Sequence, residues 1–120
     1  MDRLRVLVVD DDPAYLAAAR HILDGLRFQV VGIAETGDEA ATEVVRLGPD
    51  IVLVDVHLEG QLGFKVGERI KNLLPGLRLV FMSTDDALVY RGLALVYGGL
   101  GFLPKRSLTP EALVAIAALG

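Results

Sequence analysis

The sequence predicts a single α/β domain in which five strands alternate with five helices around one doubly wound parallel sheet. Two observations carry this. Apolar runs of strand length recur at residues 5–9, 28–33, 51–54, 78–82 and 101–103, and each is followed by a segment long enough for a helix. The runs "VLVV" and "IVLV" are apolar at every position rather than at every second one, as strands covered on both faces should be. A length of 120 residues holds one such unit and leaves little room for another domain.

The segments between the strands carry helix boundaries. The first helix, 13–23, opens at "DDDP", where Asp12 suits the N-cap and Pro13 the first helical position, and stops near Gly25. The second, 37–47, is stopped by "GPD" and the third, 64–74, by "PG". The fourth spans 86–97, before Gly98 and Gly99. The fifth spans 109–119, with Thr109 as cap and Pro110 at the first helical position. The fourth is apolar nearly all round, because Leu88, Val89, Tyr90, Leu93, Ala94, Leu95, Val96 and Tyr97 cannot all face a sheet. No repeat or low-complexity tract interrupts the pattern.

Composition excludes several classes of function. Twelve basic residues scattered among sixteen acidic ones, for a net charge of −4, give no footprint for nucleic acid or an anionic membrane, so this domain is not expected to bind DNA. No cysteine is present, no run approaches the ~20 apolar residues of a membrane span, and the opening "MDRLRVLVVDDDP" is too short for a signal peptide. A cytoplasmic protein is expected. A hydrophobic content of 52% is high for so small a domain and points to surface meant for a partner.

In open α/β sheets, ligands bind beyond the carboxyl ends of the strands. Asp10 and Asp11 follow the first strand, Asp55 the third, Ser83 and Thr84 the fourth, and Lys105 the fifth. Each residue has an ordinary alternative: an Asp as turn former, a Ser as cap, a Lys as solvated charge. Their joint placement on one edge is harder to explain that way. Three adjacent carboxylates in "DDD" repel one another, and at these residues a helix cap and a metal site both stay open. Hard oxygen ligands suit Mg²⁺, which prefers one or two carboxylates beside a phosphate oxygen. An Asp carboxylate can form an acyl phosphate, and phosphoryl transfer needs mainly positioning and positive charge.

Taken in order, these residues resemble the response-regulator receiver domain of bacterial two-component signalling, over essentially the whole chain. The resemblance implies a flavodoxin-like (βα)₅ fold with strand order 2-1-3-4-5. It implies that Asp10 and Asp11 are the acidic pair, Asp55 the phospho-acceptor, Ser83 the switch hydroxyl, Phe102 the switch aromatic and Lys105 the family's lysine. Gly63 in "DVHLEGQLG" matches the glycine after the acceptor loop. Asp11 and Asp55 would then ligate Mg²⁺ with the backbone carbonyl of His57, and Asp10 partly through water; the His57 ring is expected to point to solvent. The donor would be a sensor histidine kinase or a phosphotransfer protein, and turnover would be confined to self-phosphorylation and self-dephosphorylation at Asp55. A phosphoryl group on Asp55 is expected to draw Ser83 inward and let Phe102 rotate into the vacated space. The face made by the fourth helix, fifth strand and fifth helix is expected to dock a partner, most simply a second copy.

Three departures qualify this picture. Glu59 stands where the family commonly has Pro, implying a less rigid loop. Thr84 replaces Ala or Gly after the switch hydroxyl, implying narrower access to Asp55. Arg106 replaces the Pro that often follows the lysine, implying a more mobile loop before Thr109. The pattern is like that of receivers attached to helix-turn-helix output domains. The competing readings are a phosphate-independent interaction module, which would have no need of the full residue set, and two others. An aspartyl phosphatase would want a carboxylate at position 57. A flavin-binding domain would want a Gly-rich phosphate loop where the acids stand.

Overall fold

The computed structural model describes residues 2–120. Five strands, β1 (Leu4–Val9), β2 (Phe28–Ala34), β3 (Ile51–Asp55), β4 (Arg78–Ser83) and β5 (Gly101–Pro104), form one parallel sheet in the order β2-β1-β3-β4-β5. This is the expected topology. The helices are α1 (Pro13–Leu23), α2 (Gly37–Leu47), α3 (Gly63–Leu73), α4 (Leu88–Val96) and α5 (Pro110–Ala117).

Side chains alternate along each strand, and that alternation divides the core in two. Val6, Val8, Ile51, Leu53, Val80 and Met82 face α1 and α5; Leu7, Val9, Val52, Val54, Leu79 and Phe81 face α2, α3 and α4. Burial on both faces explains why the central strands read as unbroken apolar runs.

Most helix boundaries fall where cap chemistry places them. The Asp12 carboxylate accepts from Ala14 N at 3.0 Å with Pro13 at the first position, and the Thr109 hydroxyl accepts from Ala112 N at 3.0 Å. The second helix ends at Gly48, whose φ of 54° only glycine adopts readily. The fourth helix departs from expectation, starting at Leu88 rather than at residue 86. The Asp86 carboxylate pairs with the guanidiniums of Arg91 at 3.1 Å and Arg106 at 3.6 Å instead of capping, so the chain turns helical only after Ala87. Two short features escape the sequence pattern: a two-residue ribbon pairing His57–Leu58 with Gln61–Leu62, and a 3₁₀ turn at Lys105–Ser107.

The all-round apolar character of α4 resolves into two stripes. Tyr90, Leu93, Ala94 and Tyr97 pack against the core. Leu88, Val89, Leu95 and Val96 form the opposite stripe and face solvent, Leu88 being 84% and Val96 74% exposed.

Candidate functional site

The carboxyl edge of the sheet brings Asp10, Asp11, Asp55, Ser83 and Lys105 together, and each arrives by local chain geometry. Asp10 leaves β1 with its amide on Ala34 O at 2.9 Å and folds its carboxylate back onto Asp12 N at 2.9 Å, a local Asx turn. In "DDDP", then, Asp12 caps α1, Asp10 turns inward, and Asp11 stays at the rim. Asp55 is the last residue of β3 and Ser83 the last of β4; Asp10, Asp55 and Ser83 are the buried polar residues among those described.

Carboxylate oxygens of Asp10, Asp11 and Asp55 lie within 4.8 Å of one another, the spacing a bound cation needs. Lys105 closes the inner side, with Nζ 2.5 Å from Asp10 Oδ2 and 3.1 Å from Asp55 Oδ2. Among the described residues the Lys105 ammonium is the one partner of Asp10 Oδ2, so this buried carboxylate keeps capacity for a cation. The donor set is all oxygen, which fits Mg²⁺ and the resemblance drawn from the residues. Burial raises the affinity of Asp10 for a proton, an effect that its hydrogen bonds from Lys105 and Asp12 only partly offset. Burial alone would lower the Lys105 value, but hydrogen bonds to Asp10 and Asp55 outweigh it, so the ammonium stays charged at neutral pH.

Around this cluster the structure places Tyr15, which the sequence did not single out, and settles where the three departures sit. Tyr15 covers Lys105, with Nζ 4.6 Å from the ring centroid and Tyr15 Oη donating to Lys105 O at 3.3 Å. Its spacing of four residues after Asp11, on the first turns of α1, was the available signal. Glu59 donates its backbone N–H to Asp11 Oδ2 at 2.6 Å. A proline there has no N–H to give, so this departure ties the acceptor loop to the acidic pair, where a looser loop was expected. Arg106 likewise holds Asp86 rather than simply freeing its loop. Thr84 is exposed.

His57 points outward as expected, yet its ring is engaged: Nε2 lies 2.8 Å from Tyr90 Oη and 3.6 Å from Asp85 Oδ2. The Ser83 hydroxyl donates to Asp85 Oδ1 at 3.2 Å and accepts from Asp85 N at 3.3 Å. Phe102 is already buried, 3% exposed, beneath the Tyr90 ring at 5.5 Å between centroids.

Comparison with known proteins agrees with this geometry. Residues 6–118 match the family model described as response regulator receiver domain. The chain is 37% identical over 110 residues to a protein-glutamate methylesterase/protein-glutamine glutaminase of Syntrophus aciditrophicus, covering 88% of this chain and 31% of that protein. It is 34% identical over 112 residues to the transcriptional activator protein ExaE of Pseudomonas putida, covering 92% of this chain and 52% of that one. The chain thus spans about a third to a half of these curated relatives. Among solved structures it resembles a LuxR-family two-component response regulator from Aurantimonas, with TM-score 0.85, 27% identity and coverage of 98% and 86%. It also resembles the response regulator domain of Thermotoga maritima CheB, with TM-score 0.83, 25% identity and coverage of 98% and 96%.

Proposed function

Because the chain belongs to the response regulator receiver domain family, we propose that it is a phosphorylation-dependent signalling switch with Asp55 as phospho-acceptor. The observation that supports this best is the convergence of three carboxylates on one ammonium, with Lys105 Nζ 3.1 Å from the nearly buried Asp55 carboxylate.

A phosphohistidine on a sensor histidine kinase or phosphotransfer protein is the proposed donor. An Asp55 oxygen attacks phosphorus, the P–N bond breaks with its electron pair leaving on the imidazole nitrogen, and the aspartyl O–P bond forms. Hydrolysis returns the carboxylate and inorganic phosphate. Lys105 holds a fixed positive charge beside the acceptor throughout. Asp11, Asp55 and the backbone carbonyl of His57 would hold Mg²⁺ directly, with Asp10 acting partly through water. When bound, Mg²⁺ supplies charge that offsets the carboxylates and the phosphoryl oxygens. Ser83 donates its hydroxyl to a phosphoryl oxygen, and that redirection alters the face of α4, β5 and α5. Cytoplasmic residence and an output exerted through a partner, without direct DNA binding by this domain, complete the proposal.

Intact mass after incubation with Mg²⁺ and acetyl phosphate tests it. A gain of one phosphoryl group is expected, and it should vanish in Asp55→Ala and in chelator. No gain where another receiver is labelled would favour a phosphate-independent interaction module.

The outward stripe of α4 supports a homodimer through the α4, β5 and α5 face, since exposed Leu88, Val89, Leu95 and Val96 would lose solvent contact there. Light scattering should show a concentration-dependent dimer that Leu88→Glu with Val96→Glu abolishes. A monomer at high concentration, phosphorylated or not, would sink the dimer.

A further inference from the structure

We infer that Asp85 is a positioning residue that holds the Ser83 hydroxyl away from the acceptor, as the centre of a latch joining the acceptor loop to α4 through His57 and Tyr90. This rests on the proposed phosphoryl chemistry at Asp55 and adds to it a restraint that must be released first.

The contacts make one connected path. Ser83 is fully buried, and its hydroxyl proton is directed to Asp85 Oδ1. The other oxygen of that carboxylate, Oδ2, accepts from Tyr90 Oη at 3.4 Å and lies 3.6 Å from His57 Nε2, while Tyr90 Oη and His57 Nε2 are 2.8 Å apart. Four side chains from the acceptor loop, the end of β4, the following loop and the first turn of α4 therefore share one hydrogen-bonded cluster. Asp86, the next residue, is held from the other side by Arg91 and Arg106. The segment after Ser83 is restrained in both directions.

A hydroxyl has a single proton to donate. While Asp85 takes that of Ser83, no phosphoryl oxygen on Asp55 can, so capture of a phosphoryl group through Ser83 requires the Ser83–Asp85 bond to break. Once it breaks, Asp85 can rotate and Tyr90 loses one of its two polar partners. Tyr90 also lies tilted over Phe102, with 5.5 Å between ring centroids, and 6.0 Å from Phe64. Its ring is thus the part of α4 that senses the release, on the helix that carries the outward apolar stripe. Tyr90 is the aromatic whose polar contacts the release changes directly.

The first test is a double-mutant cycle on labelling by acetyl phosphate and Mg²⁺, followed by intact mass in the full chain. Asp85→Ala is expected to speed labelling roughly three- to ten-fold, the range one hydrogen bond commands, and Asp85→Asn, which keeps an acceptor oxygen, to speed it less. In a Ser83→Ala background, Asp85→Ala should have no effect. Equal acceleration in both backgrounds would mean that lost charge, not release of Ser83, is responsible, and would overturn the inference. The second test needs no phosphoryl chemistry. Tyr90→Phe and Asp85→Ala should each speed amide hydrogen exchange at residues 57–59 and 88–91 together. Unchanged exchange would overturn the latch. Faster exchange in a chain that never accepts a phosphoryl group would count against the Asp55 reading while leaving the latch standing.

Discussion

Gly63→Ala is expected to be the most damaging single methyl that can be added to this chain. An ideal Cβ on Gly63 would lie 1.8 Å from the carbonyl oxygen of Asp55 and 2.7 Å from both the Asp55 carbonyl carbon and Val56 Cα. All three neighbours are backbone, so none can rotate away. The φ of Gly63 is not in the left-handed region, which makes the cost steric rather than torsional. The contact exists because the chain closes on itself there: Gly63 N donates to Val56 O at 2.7 Å, Val56 N donates to Met82 O at 2.8 Å, and α3 begins at once with Phe64 packed 4.8 Å from Phe81. Relief would require prising α3 from β3, with loss of Phe64 packing, and overpacking of this kind costs about 3 kcal/mol or more. The expected result is a melting temperature lower by roughly 10 °C or a chain that fails to fold, with loss of any labelling at Asp55. Gly92→Ala is the matched control, since nothing lies within 4 Å of its Cβ and it sits inside α4, where alanine should stabilise by about 0.5–1 kcal/mol. A Gly63→Ala protein that melts with wild type would mean that the acceptor loop and α3 are not packed as described.

The role of Gly63 illustrates which features were legible in the sequence. The resemblance placed a glycine there, but the close approach of Asp55 O is a property of the closed loop and not of local pattern. The strand positions, the two-faced burial of β1 and β3, and the limits of α1 and α2 follow from hydrophobic runs and caps that act within a few residues, whereas the strand order came only through the family resemblance. Asp10, Asp55 and Lys105 were legible for a similar reason, since the carboxyl ends of parallel strands must share an edge. The start of α4 was not, because Asp86 is claimed by Arg106, twenty residues away. Nor was the link from Tyr90 to His57, which joins residues 33 apart by the rotation of a helix about its axis. The contact of Glu59 is made by a backbone amide, which every residue except proline carries; its only trace in the sequence is the absent proline.

Lys105→Met is the second substitution with a large expected effect, and its sign with pH identifies the cause. The ammonium faces Asp10, fully buried, and Asp55, 4% exposed, and removing it leaves both carboxylates without a counter-charge. Breaking a buried ion pair by deleting one partner costs about 3–5 kcal/mol, but here Asp10 can take up a proton instead, because burial already raises its value. The cost is thereby capped, and a deficit of about 2–4 kcal/mol, or roughly 10 °C, is expected in chelator at pH 8. An acid whose folded value is raised binds more protons folded than unfolded, so stability falls as pH rises through that window. The deficit should therefore be small near pH 4, grow with pH, and level off once Asp10 is ionised in the fold. Asp10→Asn should behave oppositely: it leaves Lys105 and Asp55 balanced one to one, so it should be neutral or stabilising by about 1 kcal/mol at neutral pH, a gain that shrinks as wild-type Asp10 protonates. Millimolar Mg²⁺ should restore part of the Lys105→Met loss, since a cation that binds only the fold stabilises it, and should do less for Lys105→Met combined with Asp10→Asn. Equal melting of wild type and Lys105→Met across this pH range would show that the carboxylates are solvated rather than confined. Without confinement, neither the phosphoryl group nor the cation would have the low-dielectric setting that makes a single lysine enough.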